Sequence, residues 1–209
     1  MEKPTKEYLQ ELIKKTWKQF DDFSFCFSDI ENPEITYVRT QKKNLTGIIK
    51  GFRGLAEMKN YNIKETSKIS SNCKYYNKFY KVDDKLKKVE CFVGGHNRLD
   101  VIYIAKYDCN HCYLFPYLES FEKGIGYPII VTHIENGDVT EEYIVNTNSI
   151  LYEKYDYSVQ DIVEYYRINF VPEGKYPILD EESGYYNAKT FEYHQASSKV
   201  WYQTLFSKK

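Results

Sequence analysis

The stretch Ile129-Ile-Val-Thr-His-Ile-Glu-Asn136-Gly137-Asp138-Val-Thr-Glu-Glu-Tyr-Ile-Val145 decides how this chain is read. Two apolar runs flank an Asn-Gly pair. The mirror-image two-residue turn that joins antiparallel strands needs positive φ at both central positions, which Asn and Gly tolerate best. The stretch therefore predicts a hairpin over 129–145. Ile150–Tyr155 adds a strand, and Ser158-Val-Gln-Asp161 reads as a hydroxyl cap with an acid three residues on. That pattern predicts a helix near 159–168 with Val159, Ile162, Val163 and Tyr166 on its buried face. Residues 109–171 thus read as strand, hairpin, strand and a helix covering one side of the sheet.

Upstream, Leu9, Leu12, Ile13, Trp17 and Phe20 recur at helical spacing after a Pro4-Thr5 start, predicting an amphipathic helix that ends near Asp21-Asp22. The pattern then shortens to period two. Phe23-x-Phe25-x-Phe27, Ile35–Val38, Gly47–Ile49, Leu86–Val93 and Leu99–Ile104 read as strands. Gly51, Gly54, Asp83-Asp84 and Gly94-Gly95-His96-Asn97 read as the turns between them. Five such strands imply a small barrel over 23–108. The tail from Pro172 reads as turn-rich as far as Tyr185-Tyr186, with a last strand starting at Val200-Trp201-Tyr202.

Composition limits the function classes. Hydrophobic residues at 42% and charged ones at 28% fit a folded soluble protein, and no apolar run approaches a bilayer span. Residues 1–20 carry Lys and Glu throughout, unlike a secretory signal. Five cysteines, an odd number without framework spacing, fit a reducing compartment. The formal charge of −1 offers no general basic footprint, so any nucleic-acid binding is expected to be weak or local. Twenty-two tyrosines fit an AT-rich genome, and the functional alternative is that tyrosine enriches interfaces.

Gly47-Ile-Ile-Lys-Gly-Phe-Arg-Gly54, Phe79-Tyr-Lys-Val-Asp-Asp-Lys-Leu-Lys-Lys-Val89 and Asn97-Arg98-Leu-Asp-Val-Ile-Tyr-Ile-Ala-Lys106 resemble, in that order, the oligonucleotide-binding barrel first described in ribosomal protein S-one. Asp83 stands where that family usually has Gly. Asn110-His111-Cys112-Tyr113-Leu114-Phe115-Pro116-Tyr117 resembles the aromatic-proline segment leading into the first SH2 domain of the transcription elongation factor suppressor-of-Ty-six. Ile150–Tyr166 is similar to that domain's last strands and second helix, and Lys3–Leu12 to the helix before the factor's barrel.

The resemblance implies an α+β chain: helix 1–22, an OB-type five-stranded β-barrel 23–108, an SH2-like module 109–171 with an antiparallel sheet and a covering helix, and a tail 172–209. It implies a non-enzymatic, nuclear protein whose partner is the phosphorylated linker of the RNA polymerase II large subunit. An SH2 domain grips phosphate with an arginine on its second strand. Here Val131 or a neighbour takes that place, or Pro116 in a frame that starts the domain at Cys91-Phe92. Thr132, His133 and Lys154 are then the expected, weaker phosphopeptide acceptors. On the barrel, Tyr37, Arg39, Phe52 and Arg53 are the expected face for weak single-stranded nucleic acid, with aromatics for bases beside cations for phosphates.

Other readings compete. A cytoplasmic, Tyr-rich inhibitor or immunity-type protein binding one protein partner fits the same composition. Cys109-Asn-His111-Cys112 has zinc-like spacing but needs a fourth ligand, Cys91 or His133, and free thiols are the commoner outcome. His96-Asn-Arg98-x-Asp100 falls in a turn without a nucleophile, and Glu141-Glu142 and Asp180-Glu181-Glu182 read as solvated faces. No cofactor and no membrane association are expected.

Overall fold

The computed structural model describes residues 3–25, 30–40, 48, 54, 58–59, 62–94, 98–120, 122–172, 178–190 and 192–202. The Thr5 hydroxyl accepts from the Tyr8 N–H at 3.1 Å and opens α1, Lys6–Asp22. This is the helix expected from the apolar spacing, with Leu9, Leu12, Ile13 and Phe20 buried on one side. Its last turn contains no basic residue. Lys123 serves instead, donating to the carbonyls of Phe20 and Asp21 at 2.6 Å each, where the helix dipole favours a cation.

Gly54, Met58 and Lys59 are also helical, and the remaining elements among the described residues are strands. They are β1 (Glu34–Arg39), β2 (Glu65–Thr66), β3 (Tyr76–Val82), β4 (Lys85–Phe92), β5 (Leu99–Asp108) and β6 (His111–Tyr117). The second half gives β7 (Ile129–Glu135), β8 (Asp138–Asn146), β9 (Ser149–Val159), β10 (Ile162–Val171), β11 (Ile178–Asn187) and β12 (Tyr193–Tyr202). They form one twelve-stranded sheet in the order β12-β11-β10-β9-β8-β7-β6-β5-β4-β3-β1-β2. From β3 onward each strand pairs antiparallel with the next in sequence.

Turn chemistry explains much of this meander. Asn136 and Gly137 take φ of 53° and 91° between β7 and β8, so the predicted hairpin forms. Asp83 and Asp84 take φ of 49° and 60° between β3 and β4. Asp83, standing where the barrel family has Gly, therefore occupies a left-handed position that Asp tolerates. Cys109 and Asp161 supply positive φ in the next two-residue turns.

The α+β architecture is overturned. A barrel over 23–108 would need the far edge of β5 to close on its own strands. Instead β6 takes that edge, pairing from Ile102↔Tyr117 to Asp108↔His111, so the sheet runs unbroken across the boundary expected between residues 108 and 109. The helix expected near 159–168 is absent too. The chain turns at Gln160-Asp161 and returns as β10, paired with β9 over Phe170↔Ile150 to Ile162↔Val159. The Ser158 N–H donates to Asp156 Oδ1 at 2.8 Å, a local turn rather than a helix cap. Tyr166, Ile168 and Phe170 bury on one face while Val163 and Tyr165 bury on the other. A strand covered on both faces loses its polar alternation, and its apolar run then mimics helical spacing.

Phe23 and Phe25 leave α1 as irregular chain packed on the core, and not as a strand. The tail forms β11 where turns were expected, and the strand expected to start at Val200 is the end of the longer β12. Phe27, Gly47, Ile49, Gly51 and residues 95–97 lie outside the described residues.

On the sheet's first face, α1 packs with Ile104, Phe115, Val131, Val145 and Ile168. On the second face Val38, Phe79, Val89, Leu114 and Ile130 gather against Ile48, Met58 and Ile63. Met58 packs on a cluster that reaches only to β7, yet Lys59 Nζ donates to the carbonyl of Lys189, just past β11, at 3.0 Å. None of the described helices is long and apolar enough to cross a membrane.

Candidate functional site

Strand β1 divides its side chains between the faces. Val38 enters the second-face core, whereas Tyr37 and Arg39 point to the first. Among the described residues only β2 lies beyond β1, pairing Tyr37↔Thr66 and Val38↔Glu65 near the end of β1. A cleft of about 750 Å³ occupies this corner, between the end of β1 and the segments 62–66 and 72–75. Among the described residues three cations, Arg39, Lys64 and Lys74, line it together with Asn62 and Asn72, and no carboxylate does.

Local bonding sets the walls. Asn62 turns with φ of 49° and its N–H donates to the Lys59 carbonyl at 3.0 Å, while the Ile63 N–H reaches the Met58 carbonyl at 2.7 Å. Ile63 then anchors in the second-face core and leaves Lys64 exposed at the cleft. On the other wall the Cys73 N–H donates to the Ser70 carbonyl at 2.9 Å, and the Thr40 N–H to the Tyr75 carbonyl at 3.0 Å. The neighbouring acid is directed away: Glu65 shares a face with Val38, accepts from Thr36, and pairs with Lys81 at 2.5 Å.

Beside the cleft runs an aromatic row. Arg39, Tyr76 and Phe92 are register partners across β1, β3 and β4. Tyr76 stacks on Phe92 with centroids 4.5 Å apart, and Tyr37 lies 6.2 Å from Tyr76. Farther along, Lys88 and Lys78 sit 3.9 and 4.7 Å from the centre of the Tyr80 ring. The Tyr80 hydroxyl donates to Glu90 at 2.7 Å. Burial first, and the Glu90 bond second, push the Tyr80 pKa up, so its phenol stays neutral. Cations beside tyrosine rings are the chemistry that holds phosphates and stacks bases.

Of the residues expected to contact nucleic acid, Tyr37 and Arg39 are thus brought together at this corner. Phe52 and Arg53 lie outside the described residues.

The expected phosphopeptide residues do not converge. Thr132 is buried on the second face, its hydroxyl donating to Glu142 Oε1 at 3.2 Å. His133 and Lys154 lie on the first face on either side of Glu141, the register partner of both. Lys154 pairs with Glu141 at 3.2 Å, and His133 Nε2 lies 3.7 Å from Glu135. A phosphate there would meet two carboxylates. The zinc-like spacing separates likewise: Cys109 is exposed in a turn, and His111 and Cys112 alternate to opposite faces of β6. Among the described residues no three His, Cys, Asp or Glu gather to hold a metal.

One feature was invisible to sequence reasoning. Thr132, Glu142, Glu153, Arg167 and Glu182 are successive register partners from β7 to β11, a polar row across the second face. Glu142 and Glu153 are 2% and 4% exposed, so the reading of Glu141-Glu142 and Asp180-Glu181-Glu182 as solvated faces fails for Glu142. Glu182, expected to be solvated as well, bonds Arg167 at 2.9 Å and Tyr165 at 2.7 Å. Burial works against the Arg167 charge, but Glu153 and Glu182 outweigh it and raise its pKa. Arg167 is therefore committed inside the protein, and Arg98 stands exposed at the start of β5. The signal is non-local: only strand register reveals that these charges are neighbours.

Comparison with family models, with curated proteins and with solved structures finds no match to this chain.

Proposed function

We propose that this is a binding protein without catalytic chemistry, and that the cleft at the end of β1 takes a single-stranded nucleic acid. One observation carries the reading: Arg39, Lys64 and Lys74 converge on about 750 Å³ of space, and among the described residues no carboxylate lines it. The adjoining Tyr37, half-buried against the buried Tyr76, adds ring surface on which a base can stack. With an overall charge of −1, long-range attraction is small, so binding depends on this corner alone. Each phosphate neutralised on a single strand contributes a slope of roughly −0.7 in log affinity against log salt, so three cations give about −2.

A second reading rests on the same cations. The resemblance to the elongation factor implied a phosphorylated polymerase linker as partner, and phosphoryl groups carry roughly −1.5 to −2 charges. Such a peptide would seat at Arg39, Lys64 and Lys74, and not at Thr132, His133 and Lys154. Fluorescence anisotropy of a labelled oligonucleotide, competed with phosphorylated and unphosphorylated linker peptides, tests both. Saturable oligonucleotide binding with the stated slope supports the first reading. Binding only of the phosphorylated peptide selects the second, and no binding of either removes the site.

A further inference from the structure

The second face holds another space, of about 260 Å³, between the β3–β4 hairpin and the ends of β5, β6 and β7. Two β-bulges bracket it. The β3–β4 register shifts between Tyr80 and Lys81, and the β7–β8 register shifts between His133 and Ile134. Bulges bend strands and re-aim side chains. Lys81, Leu86 and Ile134, the residues just past the two shifts, all line the space. Interiors normally leave few voids larger than a water molecule, so a space opened by two irregularities is a built feature.

Its walls are apolar: Phe79, Leu114 and Ile48 are 1%, 3% and 0% exposed. At the opening Tyr107 and Ile134 stay 42% and 37% exposed, among the larger exposed apolar side chains of the protein. Among the described residues two charges, Lys81 and Asp84, line the space, and the other polar groups there are neutral. The Tyr107 hydroxyl lies within bonding reach of the Leu86 backbone and of Cys112, and burial above all keeps it a neutral phenol. Thr132 spends its proton on Glu142, so toward the space its oxygen offers lone pairs. Of the two charges, Lys81 is held by Glu65, and Asp84 stands exposed in the β3–β4 turn.

We infer that this space is a binding site for a small neutral molecule of about two rings, carrying one N–H or O–H that donates to Thr132. The size follows from comparison with an engineered cavity of about 150 Å³, which holds benzene. The class follows from buried apolar walls, with Lys81 already paired to Glu65 and Asp84 out in the turn, and from an acceptor oxygen that rewards a donor. The site is independent of the cleft at β1.

The test uses fluorine NMR of a fluoroindole with the full chain, and indene as the isostere that has no N–H. Indole is expected to bind saturably and more tightly than indene. Ile134→Trp, at the exposed mouth, fills the space and is expected to abolish binding while the far-ultraviolet dichroism is kept. If that variant fails to fold, Leu86→Trp fills it from the facing wall. Thr132→Val is expected to weaken indole by about three- to tenfold, the worth of one hydrogen bond, and to leave indene unchanged. No saturable indole signal, or binding that survives both cavity-filling variants, overturns the site. Equal losses for indole and indene in Thr132→Val overturn the assigned donor contact.

Discussion

Arg167 and Glu153 face each other across β10 and β9, with the guanidinium Nε 2.5 Å from Oε1 and only 17% and 5% of the two side chains exposed. Glu182 holds the other side of the guanidinium, and Tyr165 closes the group through Glu182. Removing the cation leaves Glu153, which also accepts from the Tyr155 hydroxyl, buried without its counter-charge. Arg167→Met is therefore expected to lose about 3–5 kcal/mol, the usual cost of breaking a buried pair. Urea unfolding measures it, and a loss below about 1 kcal/mol would mean that the pair behaves as a surface bridge.

Two glycines separate backbone strain from steric exclusion. Gly137 has φ of 91° and open space where a methyl would stand, so Gly137→Ala is expected to cost only the left-handed penalty of about 1–2 kcal/mol. Gly184 has no such φ. A methyl there would overlap the His194 carbonyl oxygen and lie 2.8 Å from the Tyr165 ring, so β11 or β12 must shift. Gly184→Ala is expected to be the more damaging change, and thermal unfolding of the two variants ranks them. The reverse order would show that β12 gives way freely.

The cleft at the end of β1 makes a graded prediction for oligonucleotide binding. Arg39→Ala is expected to flatten the salt slope by roughly 0.7, because one phosphate contact is lost. Tyr37→Ala is expected to weaken binding by about 1–3 kcal/mol without changing the slope, as for loss of a stacked base. Lys154→Ala, on a cation paired with Glu141, is expected to change neither. Anisotropy titrations from about 50 to 200 mM salt read all three, and a Lys154 effect as large as that of Arg39 would move the site.

His111 and His133 are register partners with ring centroids 4.5 Å apart, tilted by 31°. Burial first, then His133 and Lys15, hold the His111 pKa below the ordinary histidine range, against the pull of Asp108 and Glu141. The unfolded chain then binds this proton more readily than the folded one. The contribution to stability is full above the unfolded value of about 6.5 and is lost as pH falls below it toward the folded pKa. His111→Gln is expected to flatten the fall of Tm with acid in that window. An NMR titration placing His111 at or above about 6.5 would reverse the sign.

The local features were legible in the sequence because each is decided within a few residues. Thr5 before the apolar spacing of α1 satisfies an otherwise bare N–H, and Asn136-Gly137 accepts the positive φ that the hairpin demands. Strands β1, β4 and β5 were visible for the same reason. Tyr37 and Arg39, two apart on one strand, were bound to share a face, so part of the candidate site was legible as well.

The rest depended on which strand lies beside which. The run from Val159 to Tyr166 carries apolar side chains for two buried faces, and only sheet on both sides distinguishes that pattern from a helix. Lys64 and Lys74 reach Arg39 because β2 pairs with β1 and β3 follows on its other edge, a closure between residues far apart in the chain. Glu142, Glu153, Arg167 and Glu182 form one row because each hairpin fixes the register of the next. Propensity and turn chemistry act over a few residues, whereas face, register and burial arise from contacts across the sheet. The chain's hairpins are thus set locally, and the company its charges keep is set only by the assembled fold.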